Sequence, residues 1–75
     1  MNGNIKLSVT VMKIIFPDLT TETIVGEPVS IGRILERVTI NPSEVIVCMN
    51  GKLVPEDAVA GGDDEIRIIR IAHGG

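Results

Sequence analysis

The chain has no tryptophan or tyrosine, and only one phenylalanine (Phe16), one cysteine (Cys48) and one histidine (His73). Each scarcity removes a class of chemistry. A single cysteine excludes an intramolecular disulfide and a multi-cysteine zinc site, and it points to a reducing compartment. One histidine and one cysteine fall short of the three or four ligands zinc requires, so no metal is expected. Nucleophilic catalysis needs a nucleophile, a positioned base and a group that orients the base. Cys48 lies in a predicted strand, and His73 lies two residues from the end, where nothing orients it. Cys48 is therefore expected to be a small core residue, and no enzymatic activity of the chain's own is expected.

Long apolar runs are also missing. The apolar N-terminal stretch is broken by Lys6 and Lys13 and lacks a small-residue cleavage site. No segment approaches the ~18 consecutive apolar residues of a membrane span. Neither a signal peptide nor a membrane partner is expected, and the location is expected to be cytoplasmic. Basic residues are few: 7 against 10 acidic ones, a net charge of −3, with no stripe of lysine and arginine. A nucleic-acid surface needs such a stripe to neutralise phosphates, so nucleic acid is not an expected partner. An acidic chain better suits a basic patch on a protein partner.

What the sequence has in quantity is aliphatic side chains, with 44% hydrophobic residues dominated by Ile, Val and Leu. β-Branched residues fit pleated strands, and 75 residues allow one compact core. From Ile5 the order Ile5, Leu7, Val9, Val11 alternates with Lys6, Ser8, Thr10, Met12, which predicts a strand with the first set buried. Pro17-Asp18-Leu19 offers turn chemistry, and Thr20 to Val25 forms the return strand of a hairpin whose register near Ile14 to Phe16 is open. Ser30 is placed to cap a helix of roughly 8 to 10 residues, with Ile31, Ile34, Leu35 and Val38 on one face and Asn41-Pro42 as its stop.

Val45 to Met49 is an almost unbroken apolar run, as in a strand covered on much of both faces. Asn50-Gly51 suits a two-residue hairpin turn, so Lys52-Leu53-Val54 should return as a short strand ended by Pro55. Pro55 to Asp64 reads as a polar connection. Gly61 and Gly62 precede a strand and not a helix, so they form a turn and not a phosphate cradle. Glu65 to Ile71 is the last strand. Its Ile66 and Ile68 oppose Ile69 and Ile71 in parity, which implies either burial on both faces or an exposed apolar patch. A central, doubly covered strand is the expectation; if exposed, Ile69 and Ile71 are the candidate partner surface.

The chain closes on Ala72-His73-Gly74-Gly75. Terminal residues are poorly ordered in most domains, yet glycines without Cβ atoms also suit a narrow channel and leave a carboxylate unhindered. A carboxylate is a poor acyl donor until its oxygen becomes a leaving group, so another protein's active site would have to activate it.

A ββαβββ order ending in Gly-Gly, with Val45 to Val54 around Asn50-Gly51 and the Gly62-Asp63-Asp64-Glu65-Ile66 stretch, resembles the ubiquitin-like sulfur carriers of the ThiS and MoaD type. More loosely it is similar to the archaeal ubiquitin-like modifiers. The resemblance implies an α+β β-grasp fold with a mixed sheet packed on one helix, over residues 1–71, and a flexible tail over residues 72–75. It implies a partner of the adenylating, ubiquitin-activating type that joins AMP from ATP to the Gly75 carboxylate, with His73 and Gly74 threading the partner's active site. The chain itself would bind no cofactor. A sulfur donor protein would then yield a thiocarboxylate for cofactor biosynthesis or tRNA thiolation, delivered to an acceptor enzyme. Alternatively, target lysines would take the carboxylate in isopeptide bonds. A β-grasp interaction module with an idle tail is the third reading.

Overall fold

The structure, a computed structural model, describes residues 9–71. Residues 1–8, where the expected first strand begins, and the tail Ala72-His73-Gly74-Gly75 lie outside the described residues.

Strand β1 (Thr10–Ile15) and strand β2 (Thr21–Gly26) form the expected antiparallel hairpin, with Ile15 opposite Thr21 and Thr10 opposite Gly26. Its turn is closed by the Leu19 N–H donating to the Phe16 carbonyl and the Phe16 N–H donating to the Thr20 carbonyl, both at 2.8 Å. The Asp18 carboxylate braces it by accepting from the Thr20 N–H and hydroxyl at 3.0 and 2.6 Å. This geometry holds Leu19 at φ 72°, a left-handed conformation usually left to glycine in three-residue hairpin loops.

The helix α1 (Ile31–Arg37) starts where expected, with the Ser30 hydroxyl accepting from the Arg33 N–H at 3.2 Å. The Ile31 and Gly32 N–H groups donate to the carbonyls of Ala58 and Glu56 at 2.8 and 2.9 Å, so the segment 56–58 completes the cap. The helix ends earlier than Asn41-Pro42. Thr39 turns left-handed at φ 60°, its N–H donates to the Glu36 carbonyl at 3.1 Å, and the Ile40 N–H donates to the Leu35 carbonyl at 2.9 Å. That paired pattern is a Schellman motif, which satisfies the last carbonyls of a seven-residue helix. Asn41 instead caps a 3₁₀ turn over Pro42–Glu44, accepting from the Ser43 N–H at 3.0 Å.

A β-branched residue is strained in the left-handed conformation. Thr39→Gly should raise stability by about 1 kcal/mol, because the exposed threonine side chain contributes no core packing. Denaturant midpoints of the two proteins check it; an unchanged or lowered midpoint would mean the threonine makes a compensating contact.

Strand β4 (Val45–Met49) turns through Asn50 at φ 53° and Gly51 at φ 85° into β5 (Lys52–Val54), the primed hairpin turn expected from this dipeptide. Two short strands are absent from the sequence expectation: β3 (Val29–Ser30) and β6 (Val59–Ala60), which pair antiparallel as a two-stranded sheet. Each is only two residues long, too short for any periodic signal. The connection after Pro55 is therefore not merely polar, since Ala60 is fully buried. The last strand, β7 (Glu65–Arg70), runs parallel to β1 and antiparallel to β4.

The main sheet has the order β2-β1-β7-β4-β5, with β7 at its centre and α1 on one face. This mixed sheet on one helix is the β-grasp, ubiquitin-like fold. Met12, Ile14, Ile24, Val45, Val47, Ile66 and Ile68 from the strands meet Ile31, Ile34 and Leu35 from the helix in a core that, among the described residues, holds no buried polar side chain.

Three sequence expectations are corrected by this arrangement. On β1 the buried set is Met12 and Ile14, while Val9 and Val11 are exposed, the opposite parity from that expected. On β4 only Val45 and Val47 are buried; Ile46 is exposed and Cys48 is half-buried on the outer face, so Cys48 is not a core residue. On β7 the central position is as expected, but Ile69 and Ile71 are not covered. One cause accounts for all three. A single seven-residue helix covers one face of a five-stranded sheet, and among the described residues the other face has no layer over it.

Candidate docking face and terminal site

The uncovered face is assembled by strand alternation. Residues Val11, Lys13 and Ile15 of β1, Glu65, Arg67 and Ile69 of β7, Ile46 and Cys48 of β4, and Leu53 of β5 share the parity opposite to the core. Register then places them side by side. Ile46 is directly opposite Ile69, and one cross-sheet row runs Leu53, Cys48, Arg67, Ile15, Thr21. Ile69 and Ile71 are each 38% exposed, Ile46 is 40% exposed and Leu53 67%. Ile46, Ile69 and Ile71 lie at the end of the sheet from which the chain leaves β7, and Leu53 flanks them on the neighbouring strand. Ile46, Ile69 and Ile71 are thus apolar side chains left open on the uncovered face.

Ile71, the last described residue, is pinned. Its N–H donates to the Glu44 carbonyl at 2.9 Å, and the Arg70 guanidinium approaches the Glu44 carboxylate at 4.0 Å. The ion pair is exposed and contributes little by itself, so the backbone bond is the firmer anchor. Beside it a shallow groove is lined by Phe16, Pro17, Leu19, Arg67, Ile69 and Arg70. The strained, exposed Leu19 thus stands next to Ile69 at the hairpin tip.

Of the residues singled out in the sequence, Ile69 is brought opposite Ile46, with Ile71 two residues further along the chain and Leu53 in the adjoining row through Cys48 and Arg67. Gly75, Gly74 and His73 lie outside the described residues. Ile46, Leu53 and Leu19 were not foreseen as part of this surface. The alternation within Val45 to Met49 could have exposed Ile46, but an apolar run alone does not say which parity faces out. The charge expectation also shifts. The chain is acidic, yet the outer face carries Lys13 and Arg67 against one carboxylate, Glu65, on these two central strands.

At the opposite end of the sheet the two turns are tied by one carboxylate. Asp64 accepts from the Gly61 N–H at 2.9 Å and from the Asn50 side-chain amide at 2.7 Å, while the Asn50 side-chain oxygen accepts from the Glu65 N–H at 2.9 Å. The Gly61 and Asn50 hydrogen bonds hold the Asp64 carboxyl below its ordinary value of 3.8. A carboxylate whose native pKa is depressed stabilises the fold above its unfolded pKa, and that contribution is lost as pH falls through the native value. Asp64→Ala should therefore lower stability at neutral pH and flatten its decline below about pH 4. Melting curves of both proteins from neutral pH down to about pH 2 check this; parallel acid limbs would remove Asp64 as the cause.

Among the described residues, no group of three or more His, Cys, Asp or Glu side chains could hold a metal ion. No helix among them is long and apolar enough to cross a membrane. Compared with known families, residues 7–72 match the family described as small archaeal modifier protein 2. No curated protein matches the chain.

Proposed function

The chain belongs to the small archaeal modifier protein 2 family, a ubiquitin-like class of small modifiers and sulfur carriers, and on that premise we propose that it works through activation of its Gly75 carboxylate by an adenylating partner. The family's description as a modifier supports reading the chain as the group being transferred, with the active site on the partner. The Gly75 carboxylate oxygen attacks the α-phosphate of ATP, pyrophosphate leaves, and the acyl adenylate carries AMP as its leaving group. His73 and Gly74 thread the partner's active site. Glycine at the two last positions leaves the acyl carbon without a neighbouring side chain.

The observation that carries this reading is the union of the family match with an uncovered apolar face next to the point where the chain leaves β7. A partner that grips Ile69, Ile71, Ile46 and Leu53 is positioned to receive the residues that follow Ile71.

The family's description favours conjugation as the fate of the adenylate: a lysine amine of a target protein attacks the acyl carbon, AMP departs, and an isopeptide bond forms. The sequence resemblance to sulfur carriers favours a second fate. There the outer sulfur of a donor protein's persulfide displaces AMP, and a second thiol then attacks the donor's own sulfur in the resulting acyl disulfide, forming a disulfide with the donor and releasing the thiocarboxylate. Both share every step up to the adenylate and diverge only in the nucleophile. Intact mass of the protein recovered from its own cells separates them: lysine adducts of higher mass support conjugation, and an increment of one oxygen replaced by sulfur supports sulfur transfer. A population carrying neither, in cells where the activating enzyme is expressed, would reject the proposal.

A further inference from the structure

Three charged side chains lie on the outer face of β1 and β7: Lys13, Glu65 and Arg67. Lys13 has a carboxylate-bearing residue directly opposite it, because it is the β1 register partner of Glu65. Arg67 has no such neighbour. Its register partners are Ile15 on β1 and Cys48 on β4, both uncharged, and Ile69 follows it on the same face. Among the described residues the one ion pair joins Arg70 to Glu44, so the exposed guanidinium of Arg67 is unmatched among them.

An exposed cation on a free domain carries no penalty, since water solvates it. On docking, the surrounding Ile15, Ile46, Leu53 and Ile69 would exclude water around Arg67, and an unpaired buried charge opposes association strongly. The arginine stem can pack along its apolar neighbours while the planar head takes a carboxylate in two parallel bonds. Net charge works the other way. At −3 the chain as a whole is not drawn to a broadly acidic surface, so the complementary charge must be local.

We infer that Arg67 determines partner choice on this face: the activating enzyme offers an apolar surface with a carboxylate set to meet the Arg67 guanidinium, and an apolar surface lacking that acid is rejected. The inference rests on the proposed activation of Gly75 and names the chemistry of the partner's docking surface. It reverses, for this one face, the basic partner that overall composition suggests.

The test is ATP–pyrophosphate exchange by the adenylating enzyme of the source organism, with concentration series of the full chain and of Arg67→Ala, Arg67→Lys and Arg67→Glu, at low and high salt. All four should melt alike, because residue 67 is exposed. Arg67→Glu should raise KM by about tenfold or more with kcat little changed, since the reacting carboxylate is untouched. Arg67→Lys should recover much of the loss. Salt should weaken binding of the unaltered chain and relieve the Arg67→Glu defect, which a merely structural role would not produce. A KM for Arg67→Glu within about a factor of two of the unaltered chain, with the same salt dependence, would overturn the inference and leave activation of Gly75 standing. Equal defects in the Lys and Glu variants, insensitive to salt, would overturn it likewise. No exchange with the unaltered, normally melting chain would overturn the proposed function and this inference together.

Discussion

Deletion of Gly75 should abolish ATP–pyrophosphate exchange by the activating enzyme and leave the thermal melt unchanged. The two halves of this expectation have separate causes. Exchange needs a carboxylate at the acyl position the enzyme reaches, and shortening the chain by one residue withdraws it by up to ~3.5 Å. A displacement of about 1 Å can cost on the order of a hundredfold in rate, so losing a whole residue should leave no measurable exchange. The melt is set elsewhere. The buried core among the described residues runs from Met12 to Ile68, and the last described backbone anchor is the Ile71 N–H on the Glu44 carbonyl. Exchange at the unaltered rate by the truncated protein would show that the chemistry does not reside at Gly75. A lowered melt would show instead that the terminal residues contribute to the fold.

Glutamate at two adjacent positions of β7 should separate folding from docking. Ile68 is 1% exposed and packs in the core, whereas Ile69 is 38% exposed and faces away from the helix. Ile68→Glu buries a carboxylate with no partner in a core that, among the described residues, holds no buried polar side chain. The penalty of several kcal/mol is comparable with the whole stability of a small domain, about 5 kcal/mol at the low end, so the protein should not fold at neutral pH. Ile69→Glu leaves its carboxylate in water and loses surface contacts with Ile46 and the hairpin tip, of which the cross-strand pair is worth at most about 1 kcal/mol. Its melt should stay near normal while affinity for the activating enzyme falls at least about tenfold, or about 1.4 kcal/mol. Circular dichroism melts and exchange kinetics on both variants decide. A collapsed melt for Ile69→Glu would place that residue in the core, and normal KM with a normal melt would remove the outer face from docking.

Much of the fold is legible in the amino-acid sequence wherever the cause is local. Asn50-Gly51 forms its turn because those two residues accept positive φ cheaply, a property of the dipeptide itself. Ser30 caps α1, and Ile31, Ile34 and Leu35 face the core, because capping and helical spacing act within a few residues. The helix stop is less legible. Asn41-Pro42 forbids continuation, but the Schellman bonds of Thr39 and Ile40 end the helix sooner, at a residue type that gives no such signal. Strands β3 and β6 are held by each other and by the helix N-terminus, joining residues 29–30 to residues 59–60, so neither announces itself locally.

The sequence by itself determined the longer strands, the two hairpin turns and the buried face of the helix. It did not determine which parity of each strand is the inside. Val9 and Val11 are as apolar as Met12 and Ile14, and Ile46 and Ile69 are as apolar as Val47 and Ile68, so composition cannot rank the faces. Tertiary structure made the choice, because β1, β7 and β4 must turn the same side toward the one helix in the register that brings Ile14 opposite Ile66 and Val47 opposite Ile68. Once that side is filled, every apolar residue of the other parity is left facing outward around Arg67, since the described residues offer no second helix to cover it.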